Sequence, residues 1–91
     1  MTDNLPNPQS LQHASKIAIN EDKPILLDYW SNDTDSILIG VRDSGEKLLV
    51  KSEDEYTSPI SKIFKVIDCY IIMTENSIYI TKSSIPSKRI S

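Results

Sequence analysis

The chain has one histidine, His13, and one cysteine, Cys69. Brought together, an imidazole and a thiol can form the activated pair of a covalent catalyst, but nothing in the surrounding sequence requires these two to meet. His13 falls between Leu11 and Ala14 on the flank of a helical apolar stripe, where a solvated or partly covered side chain is expected. Cys69 lies beside a tight turn and is expected to be a small, semi-buried filler. Glu53, Asp54 and Glu55 form a carboxylate run that could gather a hard cation, yet it lacks the glycine and alternate spacing of a calcium loop. It reads instead as a solvated loop. The two glycines, Gly40 and Gly45, make no phosphate-cradling loop. A single cysteine excludes an intramolecular disulfide and a paired-cysteine zinc site. The expectation is a non-enzyme with no cofactor, no metal and no small-molecule substrate.

The elements that would position any site can be read from periodicity. Asn7 is placed to cap a helix with Pro8 at its first position. Leu11, Ala14, Ile17 and Ala18 then make one apolar stripe, with a stop expected at Asn20 and Pro24 beyond it. About 12 residues of helix are marginal alone, so the stripe must dock. From Pro24 the period becomes two, in PILLDYW, SILIGVR, KLLVK, Lys62–Ile67, Tyr70–Thr74 and SIYIT. SNDTDS, Asp43-Ser44-Gly45, Asp68-Cys69 and Glu75-Asn76 are the expected turns, with Gly45 left-handed. Gly40 within a strand pattern suggests a bulge or a corner.

One helix and about six short strands joined by tight turns predict a mainly β fold with one N-terminal helix. Strands consecutive in sequence imply a small antiparallel meander, closed as an SH3-like barrel or a two-layer sandwich. The expected organisation is a flexible N-terminus over 1–7, a single domain over 8–84 and a loose tail over 85–91. Ninety-one residues bury roughly 60–65% of the unfolded chain's surface, enough for one modest core. No apolar run reaches the length of a membrane span, and the polar N-terminus carries no signal-peptide core, so an intracellular location is expected.

Two surfaces could do non-catalytic work. Several strands are apolar on both faces, and a short helix with two alanines in its stripe cannot cover them all. Tyr29, Trp30, Leu38 and Leu49 are therefore candidates for contact with a protein partner or a second copy. The formal net charge of −3 gives no overall basic footprint. Basic residues are nevertheless denser after residue 60: five against two acidic, where 31–60 has three against seven. Lys62, Lys65, Tyr70, Tyr79, Lys82 and Arg89 are thus candidates for nucleic-acid binding by charge and stacking.

The stretches LQHASKIAINEDKPILLDYW, EKLLVKSEDEYTSPISKIFKV and ENSIYI resemble small virion-associated proteins, of minor-capsid type, encoded by large nucleocytoplasmic DNA viruses. The likeness runs from about residue 10 to residue 90 and brings no catalytic or ligand motif. It implies a structural role in a virion.

Overall fold

The computed structural model describes residues 6–27, 29–30, 37–52 and 54–90. The expected SNDTDS turn and Glu53 lie outside them. Helix α1 spans Pro8–Glu21, with Pro8 in its first turn. The Asn7 side chain accepts from the Ser10 N–H at 2.8 Å, satisfying one of the donors a helix start leaves open. The helix runs past Asn20 and ends at Asp22, which adopts a left-handed φ of 56° while its N–H donates to the Ala18 carbonyl.

Among the described residues seven strands follow: β1 Ile25–Leu26, β2 Leu38–Val41, β3 Lys47–Val50, β4 Ile60–Val66, β5 Cys69–Thr74, β6 Ile78–Lys82 and β7 Ser87–Arg89. They form two sheets, of order β1-β6-β5-β4 and β3-β2-β7. The fold is mainly β with one N-terminal helix, as expected. The purely antiparallel meander holds only where connections are short, in β2-β3 and β4-β5-β6. β1 pairs in parallel with β6, and β7 in parallel with β2. A tight turn dictates an antiparallel neighbour, whereas a longer connection leaves the choice of neighbour to packing.

The expected tail belongs to the domain. Ile85 is buried between the sheets, Ser87–Arg89 pairs with β2, and the Ile90 N–H donates to the Val41 carbonyl. Gly40 explains itself here. A Cβ at that position would stand 2.6 Å from Ile90 Cδ1, so the missing side chain lets Ile90 lie across the outer face of the second sheet. At the other end, Asn7 is anchored rather than loose, since its side-chain amide donates to Asp68 Oδ1 at 3.1 Å.

Two apolar clusters divide the molecule into three layers. On one face of the four-stranded sheet, Cys69, Ile71, Met73, Ile78 and Ile80 bury against Ala14, with Leu11, Ile17 and Ala18 of the helix around them. On the other face, Ile72 packs with Ile39 and Leu49 of the second sheet and with Tyr29, Ile37 and Ile85. The four-stranded sheet is therefore covered by the helix on one side and by the three-stranded sheet on the other. Strands apolar on both faces are what a middle layer requires.

The β4–β5 turn lies one residue earlier than expected. Val66 pairs with Cys69, which leaves Ile67 and Asp68 as the two-residue loop. Ile67 takes a φ of 58°, a left-handed conformation that is costly for a β-branched side chain. The helix start holds this turn from beside it: Ser10 Oγ donates to the Val66 carbonyl, and Asn7 reaches Asp68 and Cys69.

Candidate functional site

A sheet edge exposes unpaired backbone N–H and C=O groups, and each sheet here has two such edges. β1 offers two residues and β7 three. β3 is partly covered, because Tyr56 bridges to Val50 and the Thr57 N–H donates to the Leu49 carbonyl at 2.9 Å. β4 is the long one, seven residues paired on one side only, with β5, among the described residues.

The register fixes which groups point outward. In a hairpin with a two-residue loop, the flanking pair is hydrogen-bonded, and bonded pairs then alternate along the ladder. Val66, Phe64 and Lys62 therefore turn their backbone groups toward Cys69, Ile71 and Met73. Ile63 and Lys65 turn theirs to the open side. The ladder is irregular between Ile60 and Lys62, where the Ser61 hydroxyl donates to the Met73 carbonyl at 3.0 Å.

The side chains alternate as well. Lys62 sits opposite Met73 on the helix side of the sheet, and Lys65 opposite Tyr70 on the side facing the second sheet. Both lysines are exposed, while Ile63 and Phe64 between them are half-buried. Phe64 carries the exposed His13 ring against it, with centroids 5.7 Å apart and planes tilted by 54°. A groove of about 340 Å³ adjoins the first half of β4, between Pro59–Ile63 and the Gly45–Lys47 end of the β2–β3 hairpin. Lys47 and Lys62 line it, together with Glu46.

The residues expected to carry contact with a partner are placed differently. Leu49 is fully buried and Tyr29 is 7% exposed, both in the cluster between the sheets. Tyr29 meets Tyr79 edge-on at 5.3 Å between centroids, and Lys51 Nζ stands 5.8 Å from its ring. Trp30 is half-buried against the helix-side cluster, with Lys82 Nζ 5.7 Å from its ring. Leu38 is half-buried and belongs to the outer face of the second sheet, in register with Val50. These four do not form one surface. Tyr29 and Leu49 are covered by the packing between the two sheets, whereas Leu38 keeps part of its surface on the outer face of the second sheet.

The nucleic-acid candidates also separate. Tyr70 and Tyr79 are half-buried against the cluster between the sheets rather than displayed as stacking platforms. Lys82 covers Trp30, and Arg89 lies on the second sheet, 3.3 Å from Asp43 in an exposed ion pair. Only Lys62 and Lys65 remain together, on β4. Alternation alone does not show that both faces of β5 and β6 are covered.

Cys69 is fully buried, with the Asn7 side-chain amide 3.5 Å from its sulfur. Asp54 and Glu55 are exposed. Among the described residues, no group of three histidine, cysteine or carboxylate side chains is gathered to hold a metal, and no helix is long and apolar enough to cross a membrane.

The β4 edge is not among the surfaces expected from periodicity, although ISKIFKV carries a signal of it. A lysine on each face of an otherwise apolar strand is how natural sheets mark an edge. No protein-family profile, no curated protein and no solved structure matches the chain.

Proposed function

We propose that this chain is a non-catalytic protein-interaction module that takes an extended segment of a partner onto the open edge of β4. One observation carries the reading: among the described residues the longest strand is paired on one side only, with a groove beside its first half. Strand addition of this kind draws affinity from main-chain hydrogen bonds and selectivity from alternate side chains. The resemblance to small virion-associated proteins agrees with an assembly role, the partner then being another component of the particle.

The test is a selection of binders from a library of extended peptides, followed by hydrogen exchange on the complex. The Ile63 and Lys65 amides should become protected when a selected peptide is bound. Lys65→Pro removes one outward N–H and leaves the bonds to β5 in place, so it should abolish binding while the rest of the amide spectrum persists. Binders that protect amides elsewhere and ignore Lys65→Pro would refute the proposal.

A further inference from the structure

We infer that the segment β4 accepts is acidic at two positions three residues apart, with two apolar residues between them; this rests on the strand-addition reading above. The pattern follows from β4 itself. Lys62, Ile63, Phe64 and Lys65 are consecutive, and Lys62 and Lys65 stand on opposite faces of the sheet. A strand laid alongside has the same period of two, so residues at n and n+3 likewise fall on opposite faces. Carboxylates at those positions each meet one lysine as a cross-strand pair. The two residues between them flank Ile63 and Phe64, which are half-buried and retain apolar surface to cover. The sequence acidic–apolar–apolar–acidic reads the same in both directions, so it suits either orientation of the incoming strand.

Charge separates this occupant from a second copy of the chain. β4 contains two lysines and no carboxylate. Pairing β4 with β4 would bring four ammonium groups into one short ladder, which is unfavourable. The groove adds to the bias, since Lys47 joins Lys62 along its lining, with Glu46 the one acid there.

Three ten-residue peptides test the inference, centred on Glu-Val-Ile-Glu, Lys-Val-Ile-Lys and Glu-Ser-Ser-Glu. Binding is followed through the backbone amide shifts of Ile63 and Lys65 at low and moderate salt. The first peptide should bind about tenfold more tightly than either other, and added salt should weaken it. A Lys62→Glu/Lys65→Glu variant should prefer the lysine peptide, while Lys62→Arg/Lys65→Arg should keep the original preference. Equal binding of all three peptides, with the β4 shifts retained, would overturn the charge pattern and leave the edge reading standing. Shifts confined to other strands would remove both. A concentration-dependent dimer with Ile63 and Lys65 protected would identify the occupant as a second copy and overturn the inference.

Discussion

β4 and β5 are two arms of one hairpin, yet they occupy opposite situations. β5, Cys69–Thr74, has a strand on each side and a covering layer on each face, and all of its residues but Tyr70 are buried. β4, Ile60–Val66, has one neighbour among the described residues and no fully buried residue. The residues that differ are the charged ones. β5 carries none, whereas β4 interrupts its apolar sequence with Lys62 and Lys65, one on each face. Burial on both faces makes a strand structural, because it has nothing left to offer a partner. A strand with an open edge keeps main-chain donors and acceptors, and charged side chains along it are a common way to keep such an edge from pairing indiscriminately.

The sharpest way to break this comparison is to shorten one isoleucine on each arm. Ile72 is fully buried between the sheets, so Ile72→Ala should cost about 3–4 kcal/mol through lost burial and an unfilled cavity. Ile63, its cross-strand partner, is half-buried, and Ile63→Ala should cost roughly 1–2 kcal/mol. Urea unfolding of both variants measures the difference. Equal losses would mean that β4 is as deeply integrated as β5, and the contrast would be wrong.

The turn joining the arms offers a gain rather than a loss. Ile67 is 61% exposed and held at a φ of 58°. It contributes little packing and carries the strain of a β-branched residue in the left-handed region. Ile67→Gly should therefore stabilise the fold by about 1 kcal/mol, since a two-residue hairpin loop with positive φ at its first residue alone favours glycine there. A thermal midpoint raised by roughly 4–8 °C is the expected reading for a domain of this size. An unchanged midpoint would show that the turn is not strained.

That one-residue shift illustrates what was legible in the sequence. The helix start was readable at Asn7 and Pro8 because caps are local, and the Gly45 turn was readable because its conformation demands glycine. The β4–β5 turn falls at Ile67-Asp68 rather than the expected Asp68-Cys69 because contacts from Asn7 and Ser10 hold it there, and contacts between distant segments leave no local signal. β7 was read as a tail because SKR has no apolar alternation. Its place depends on the gap above Gly40 that accepts Ile90. The candidate site was hidden for a related reason. Two-faced apolar strands indicate a need for cover, and the sequence does not say whether another sheet of the same chain or a partner supplies it. Tyr29 and Leu49 proved to be covered from within. The lysines of β4 were visible throughout, but their meaning depends on that strand ending at an edge.

The smallest expected effect on stability is the most informative about that edge. Lys62 and Lys65 are exposed, so a Lys62→Ala/Lys65→Ala variant should change unfolding free energy by no more than about 0.5 kcal/mol. Its solution behaviour should change much more. Without the two charges, β4 becomes an apolar edge with two outward N–H and two outward C=O groups, a template for pairing with itself. Light scattering across a concentration series should then show association, with Ile63 and the residue at 65 protected from exchange in the associated form. If the variant scatters like the parent chain at every concentration, the lysines do not guard the edge, and their part in selecting a partner must be established by peptide binding alone.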